Sequence, residues 1–286
     1  MANLRDIRRR IKSVKNTAQI TRAMQLVAAA KMKKAQDLAI GGREYALQLT
    51  QVLFDIRANF SEESHPLLER RDGNRELVLV VSTDKGLCGP INTNLARKLK
   101  LETSPDAHFV TVGRKLRTMA EKVGIKVIAD FTVKDPVPFS QARPIATFVT
   151  QQFLAGNYDK VSIAFTSFVN TLRQEAEVVT LLPIGGQRKG ASIEEHQADP
   201  VRDYIFEPSP GDVLSAILPL YINYEVFQAI AEARASEHSA RMVAMKAATD
   251  NAKKFIKELT LEYNKLRQGA ITSELLEITT AMKAME

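Results

Sequence analysis

The feature that most constrains the fold of this chain is a helical repeat at each of its ends. Residues 3–60 and 212–286 each predict one very long helix, and the residues between them alternate between strand and helix patterns. Since a helix rises about 1.5 Å per residue, the two arms would measure roughly 85 and 100 Å. Two such helices joined through a globular middle indicate a shaft with a body attached.

The first arm carries a continuous apolar seam. In alternating steps of three and four residues from Leu4 to Phe60, the seam positions are apolar except at Thr21, Gln25 and Gly42. A seam sustained over that many heptads is typical of a coiled coil. Residues 24–30 are apolar on nearly every face, which predicts burial on more than one side, either in the core of this chain or inside another protein.

The second arm begins and ends with distinct signals. Residues 208–212 read Pro-Ser-Pro-Gly-Asp, so Ser209 or Asp212 could cap a helix, and Pro219 predicts a kink or a restart within its first turns. The arm closes on residues 281–285, an apolar tip without a capping signal. This tip is either an interaction surface or a frayed terminus.

Two charge pairs are predicted along this second arm. Glu237 precedes Arg241, and Asp250 precedes Lys254, by the four residues that bring side chains together on one face of a helix. Such pairs most often lie on a solvated face.

The middle of the chain predicts an α/β layer with a mostly parallel sheet, because apolar strand patterns alternate with helical stretches. The strands are expected at 77–81, 109–112, 125–128, 161–165, 177–181 and 204–206, the helices near 90–101, 114–123 and 141–155, and an exposed loop at 185–203.

The loop at 82–89 offers glycines after a strand, but it lacks the spacing of either common phosphate-binding motif. A tight turn with Gly at positive φ is therefore favoured over nucleotide binding. No catalytic constellation, metal site or cofactor site is predicted.

Charge and cysteine content narrow the class of protein. Residues 1–60 hold twelve Lys or Arg against four acids, a balance of +8, whereas the rest of the chain is almost neutral. Such a basic arm suits nucleic acid, anionic lipid or an acidic protein. Cys88 is the only cysteine, which favours a reducing compartment. No apolar run is expected to reach the 18 residues of a membrane span, and no secretory signal precedes the first arm.

Four segments together resemble one family, the gamma subunit of F-type ATP synthase, and the bacterial type in particular. They are the first-arm segment 7–32, the strand-end loop 82–89, and the second-arm segments 235–252 and 263–274. The resemblance runs through the whole chain in order. It implies an antiparallel coiled coil of arms 1–60 and 208–286 around a Rossmann-like α/β domain at 61–207.

The resemblance also implies a role. A gamma subunit is a non-catalytic rotor of the central stalk, turned by the membrane c ring inside a ring of three alpha and three beta subunits, beside epsilon, on the cytoplasmic face of the bacterial membrane. By family motif, five residues are expected to contact the ring and three to form the apolar shaft tip. The ring contacts are Met24, Glu237, Arg241, Arg267 and Gln268, and the tip residues are Ile278, Met282 and Met285.

Two other classes stay open on the residues alone. A nucleic-acid-binding coiled coil would explain the +8 of the first arm, but it leaves the apolar tip and the α/β middle without a role. An enzyme built on the central domain would need a catalytic constellation that the motifs do not supply. Salt-dependent DNA binding would favour the former, and intrinsic nucleotide affinity the latter.

Overall fold

Two long helices begin and end the chain in the computed structural model, which describes residues 4–57, 65–184, 207 and 209–285. Helix α1 covers Leu4–Arg57 and helix α5 covers Pro210–Lys283. Both arms are thus confirmed as helices over the described residues. The loop predicted at 185–203 and the strand predicted at 204–206 lie outside the described residues.

Five strands between these helices form one sheet in the order β3-β2-β1-β4-β5. Strands β1 to β4 are parallel, and β5 pairs antiparallel with β4. The mostly parallel sheet is therefore confirmed. The strands are β1 Glu76–Val81, β2 His108–Val112, β3 Val127–Phe131, β4 Lys160–Phe168 and β5 Gln174–Leu182, and the intervening helices are α2 Ile91–Glu102, α3 Arg114–Val123 and α4 Phe139–Leu154.

Helices cover both faces of the sheet. Side chains alternate along a strand, so Val78 and Val80 of β1 join a core cluster with Leu95 of α2 and Leu116 of α3. The neighbouring residues of β1 face the opposite side and belong to a larger cluster. That cluster contains Leu77, Leu79, Ala35, Ala39, Ile145, Val149, Leu218 and Ile222, and so includes α1, α4 and α5.

The chain divides into two compact units, one of residues 1–28 with 241–286 and one of residues 29–240. The first unit consists of helical segments of α1 and α5. The second, called the sheet domain below, contains the whole sheet and the remaining helices. The division at residues 60 and 208, which was predicted from the sequence, instead separates consecutive segments of the chain, and it stays a prediction.

The buried residues of α1 follow the predicted seam. Among the side chains described, those of residues 4–53, six are buried and all six occupy seam positions: Ile7, Ala28, Ala35, Ala39, Ala46 and Leu53. Four of the six are alanine, whose small side chain allows a neighbouring element to approach closely.

Ser209 is the cap of α5. Its hydroxyl accepts a hydrogen bond from the backbone N–H of Asp212 at 3.3 Å and donates to the Asp212 carboxylate at 2.6 Å. Pro210 follows the cap at the position where a missing N–H costs nothing. The helix then continues through Pro219, so the predicted restart at that proline is wrong.

Helix α5 is also the one helix among the described residues that contains an 18-residue stretch apolar enough, by length and composition, to cross a membrane. The expectation that no run would reach this composition is wrong. Half of that stretch is buried inside the protein, and a core helix of a globular domain meets the same criterion.

Candidate functional site

The most unusual part of the sheet domain is residues 225–239 of α5, called the buried segment below. Every residue in it is buried, including Glu232, Arg234, Glu237 and His238. Ionisable side chains removed from water require partners, because an unpaired buried charge is costly. The contacts of this segment therefore show which parts of the domain hold the helix.

Arg234 lies between two carboxylates. Its Nη2 donates to Asp84 Oδ2 at 2.8 Å and its Nη1 to Glu237 Oε2 at 2.7 Å. Asp84 belongs to the loop after β1, so this guanidinium joins α5 to the carboxyl end of a strand. Burial opposes the charge, but the two carboxylates outweigh it and raise the pKa of Arg234. The guanidinium, only 6% exposed, is therefore charged.

Asp135 joins both long helices to the loop after β3. Its Oδ2 accepts a hydrogen bond from His238 Nε2 at 3.0 Å and from Lys31 Nζ at 2.8 Å. His238 belongs to α5 and Lys31 to α1. The bond from His238 and the nearby ammonium of Lys31 overcome the effect of burial and hold the pKa of Asp135 well below its usual range.

The turn between β4 and β5 provides a third attachment. Ser239 of α5 donates through Oγ to the carbonyl of Thr171 at 2.7 Å. Slightly earlier in the helix, Glu232 Oε2 accepts from Ser167 Oγ of β4 at 3.0 Å. Helix α5 is therefore bonded to strand β4 and to the turn that follows it.

Helix α1 approaches α5 closely at Gly42. The hydroxyl of Tyr224 donates to the Gly42 carbonyl at 2.6 Å, and Gln228 Nε2 donates to the Ala39 carbonyl at 2.8 Å. A Cβ at Gly42 would lie 2.6 Å from both Tyr224 Oη and Gln228 Oε1. These contacts also show that α1 and α5 run antiparallel within the sheet domain.

The loop at 82–89 is a tight turn held by side chains. Asn92 Nδ2 donates to Thr83 Oγ1 at 2.8 Å, and Thr83 Oγ1 donates to the carbonyl of Lys85 at 2.9 Å. Positive φ occurs at Gly89, as expected, and at Leu87 rather than at Gly86. The glycine expectation is thus correct at one position and wrong at the other.

In the other unit, segments of α1 and α5 meet through two hydroxyls. Thr21 Oγ1 lies 2.8 Å from Thr249 Oγ1, and Thr249 also donates to the Met245 carbonyl. Of the residues predicted to contact a ring, Met24 is half-buried here. Its apolar neighbours Leu26 and Val27 are exposed. Two explanations were given for the apolar stretch 24–30. Burial in the core of this chain does not account for Leu26 and Val27.

The C-terminal end of α5 is exposed along its whole length. Residues 264–285 have no buried or half-buried member, and Arg267 and Gln268 belong to this stretch. The predicted tip residues Ile278, Met282 and Met285 are 57%, 65% and 91% exposed. With Thr21 opposite Thr249 in an antiparallel pair, Leu4 lies opposite about residue 266, and α5 continues beyond that point to Lys283.

Glu237 and Arg241 differ from the other predicted contact residues. Both are buried in the chain itself, and Glu237 accepts from Arg234. The expectation that the Glu237–Arg241 pair lies on a solvated face is therefore wrong. Near the other predicted pair, Asp250 lies 3.6 Å from Lys253, one residue before Lys254.

Sequence reasoning did not select Lys31, Asp84, Asp135 or Arg234. The sequence did carry a signal for Arg234. Four ionisable residues lie between positions 232 and 238, in a part of the helix that is otherwise mostly apolar. No pattern in the sequence indicates which loops supply their partners. Within the described ranges, no group of His, Cys, Asp and Glu could hold a metal ion.

Comparisons with known proteins agree with this architecture. The sequence matches the family model described as ATP synthase over residues 3–285. It is 48% identical to the ATP synthase gamma chain of Akkermansia muciniphila and 46% identical to that of Methylacidiphilum infernorum, with full coverage of both chains in each case.

Solved structures share the fold at lower sequence identity. A chain from the Euglena gracilis mitochondrial ATP synthase, in a structure of OSCP, F1 and c-ring, matches with a TM-score of 0.68 and 19% identity over 99% of this chain and 94% of its own. A chain from the Tetrahymena thermophila mitochondrial ATP synthase, in a structure of central stalk and c-ring, matches with a TM-score of 0.60 and 24% identity over 80% of this chain and 99% of its own.

The fold thus defines a class of proteins in which a mostly parallel α/β domain is inserted between two long antiparallel helices. The full-length identity of 48% is specific enough to go further. The chain belongs to the ATP synthase gamma chain family, whose members form the central stalk of F1.

Proposed function

We propose that this chain is the rotor of its ATP synthase and transmits rotation between a membrane c ring and a catalytic ring of three alpha and three beta subunits. Full-length family membership supports the assignment, and the exposed apolar end of α5 is the observation that carries it. A helix end with Ile278, Met282 and Met285 in water exposes apolar surface that a surrounding protein would cover.

In this proposal the chain makes and breaks no bond of ATP. The nucleotide sites belong to the beta subunits, and epsilon and the c ring bind near the sheet domain. The complex is peripheral to the cytoplasmic face of a bacterial membrane. Its coupling of ion translocation to ATP synthesis or hydrolysis would then depend on this chain's stiffness and asymmetry.

Five residues are proposed as ring contacts, and their surroundings divide them into two groups. Arg267 and Gln268 are exposed and Met24 is half-buried, so these three can meet a partner without rearrangement. Glu237 and Arg241 are buried, so they would first have to exchange their present neighbours for the ring. We therefore expect the larger effects on assembly from Arg267 and Gln268.

The decisive experiment is Mg-ATP hydrolysis by alpha and beta subunits from the same organism, with and without this chain, combined with native mass spectrometry. A complex of three alpha, three beta and one copy of this chain with stimulated turnover is the expected result. Failure to join that complex, or salt-dependent DNA binding without assembly, would overturn the rotor assignment.

A variant pair tests the proposed contacts in the same assay. Arg267→Ala/Gln268→Ala should weaken assembly or lower turnover, because charged and amide hydrogen bonds to the ring are lost. Lys265→Ala, which removes an exposed residue of the same helix stretch, is the matched control and should behave like the wild type. Equal effects of the two variants would contradict the contact assignment.

A further inference from the structure

Three separate parts of the sheet domain bond to a short stretch of α5. Asp84, in the loop after β1, holds Arg234; Asp135, in the loop after β3, holds His238; and Thr171, in the turn after β4, holds Ser239. The donor-acceptor distances are 2.8, 3.0 and 2.7 Å. Since β1, β3 and β4 are parallel, all three attachments lie at the carboxyl edge of the sheet.

These attachments point in different directions around the helix axis. With about 3.6 residues per turn, positions 234, 238 and 239 are distributed over roughly 140° of the circumference. Rotation of α5 in either direction would therefore lengthen at least one bond. The planar guanidinium of Arg234 adds a second constraint, because Glu237 of the same helix holds one end of it while the other end binds Asp84.

The preceding turns of α5 are held mainly by apolar contacts, and the hydrogen bonds of Tyr224 and Gln228 there go to α1 rather than to the strand-end loops. Leu218, Ile222, Val226 and Ile230 lie fully buried in the larger apolar cluster. Apolar burial is strong but non-directional, so it opposes withdrawal of the helix more than rotation about its own axis. Hydrogen bonds weaken steeply when misaligned, so the polar attachments are the ones that define the helix's angle.

We propose that Asp84, Asp135, Thr171, Arg234, His238 and Ser239 form a rotational anchor, a set of positioning residues that fixes α5 against the sheet domain so that torque passes between them. This inference rests on the proposed rotor function. It adds to that function the place where the sheet domain grips the helix.

The test measures rotor stiffness in the assembled complex of this chain with alpha and beta subunits. An optical probe is attached to the sheet domain through Lys122→Cys, an exposed residue of α3, and its angular fluctuations are recorded while the immobilised complex is stalled. The main variant is Asp84→Asn/Arg234→Gln/Glu237→Gln, which removes all three charges together and leaves none buried without its counter-charge.

The expected result is an angular variance roughly twofold or more above wild type, because the aligned charge-assisted bonds are gone. Arg234→Lys keeps the charge but loses the planar fork and should give an intermediate variance. An unchanged variance in the triple variant would overturn the anchor.

Two controls separate a rotational anchor from general stabilisation. Arg117 of α3 also bonds one carboxylate of its own helix, Glu121, and one from another element, Asp130. It is half exposed and both of these partners lie outside α5, so Arg117→Met should leave the variance unchanged. Ile222→Val removes a methyl group from the apolar packing of α5, so it should lower the free energy of unfolding without increasing the angular variance. A variance as large as that of the triple variant would also overturn the anchor.

If a variant fails to assemble, a second measurement tests the anchor. Hydrogen exchange on the free full-length Arg234→Lys chain should increase in residues 83–90 and 232–240 and stay at wild-type levels in residues 213–226. A uniform increase along α5 would show a merely structural role. If the wild-type chain itself neither assembles nor stimulates turnover, the rotor proposal fails. If the wild-type chain assembles but the triple variant is as stiff as the wild type, only the anchor is refuted.

Discussion

Two stretches of the same helix reverse the usual relation between side-chain polarity and burial. In the buried segment, residues 225–239, even Arg234 and Glu237 are removed from water. In residues 264–285, even Ile278 and Met282 are exposed to it. Both stretches are regular helix up to Lys283, so backbone conformation does not explain the difference.

The neighbours of each stretch do explain it. The buried segment has carboxylates, carbonyls and hydroxyls of its own domain within hydrogen-bond distance, which compensate for lost hydration. The exposed stretch extends beyond the residues that face α1. Burial of the charged residues here reflects partners inside the chain, whereas the exposed apolar residues are the ones for which a partner outside the chain is proposed.

The largest predicted effect comes from removing one charge of the buried segment. Arg234→Met leaves Asp84 and Glu237 without their counter-charge in a buried site and should lower the free energy of unfolding by about 3–5 kcal/mol. Chemical denaturation followed by circular dichroism measures this change. Arg117→Met, which breaks a half-exposed pair, should cost about 0–1 kcal/mol. Equal losses would mean that burial does not distinguish the two arginines.

The next effect tests the close approach of the two long helices. Gly42→Ala places a methyl group 2.6 Å from Tyr224 Oη and Gln228 Oε1, and should destabilise the chain by about 2 kcal/mol through overpacking. Gly41 and Gly269 have no atom within 4 Å of an added Cβ. Their Ala variants should each stabilise the helix by up to about 1 kcal/mol, and destabilisation by either would contradict the comparison.

A smaller effect concerns acid. Because the pKa of Asp135 is lowered in the folded chain, its contribution is complete above the unfolded-state pKa and is lost as the pH falls through the folded value. The free energy of unfolding should therefore decrease below about pH 4. Asp135→Asn should lower the free energy of unfolding by about 1 kcal/mol near neutral pH, because the hydrogen bonds to the ionised carboxylate are weakened, and it should flatten this decline.

Thermal unfolding from about pH 6 down to about pH 2 measures this dependence, because the decline begins near the ordinary pKa of an Asp carboxyl and continues below it. Asp106→Asn, an exposed residue in another loop, is the control. If Asp106→Asn and Asp135→Asn flatten the pH dependence of stability equally, then the contacts of Asp135 with His238 and Lys31 do not cause that dependence.

The smallest effect is expected at the tip. Ile278→Ser/Met282→Ser/Met285→Ser changes residues that are more than half exposed, so the free energy of unfolding should change by less than about 0.5 kcal/mol. Binding to the alpha-beta ring should weaken in the same variant, measured by native mass spectrometry. A large loss of stability in the free chain would show that the tip packs against the chain itself.

The fold was predictable because its signals are periodic. Heptad spacing identified α1 and placed its buried residues on the seam, and β-branched runs identified all five described strands. The continuation through Pro219 was not predictable, since tertiary packing of the surrounding apolar turns outweighs the single hydrogen bond that proline removes.

The buried site was less predictable because its partners are distant in sequence. Arg234 and Asp84 are 150 positions apart, and Asp135 and His238 are 103 apart. Local spacing pointed instead to an exposed Glu237–Arg241 pair. In the structure Arg234, three residues before Glu237, donates to it, and only the tertiary arrangement of the strand-end loops shows why that carboxylate is buried.

The hydroxyl contact between Thr21 and Thr249 has a consequence for biosynthesis. The two residues are 228 positions apart, and ribosomes add about 5–20 residues per second. The start of α1 therefore emerges roughly ten to forty-five seconds before the segment that pairs with it. During translation that amphipathic helix waits with its apolar seam uncovered, while the strands of the sheet domain are made and can fold. Apolar surface left uncovered for that interval is prone to aggregation, and the exposure ends only when the last helix is complete.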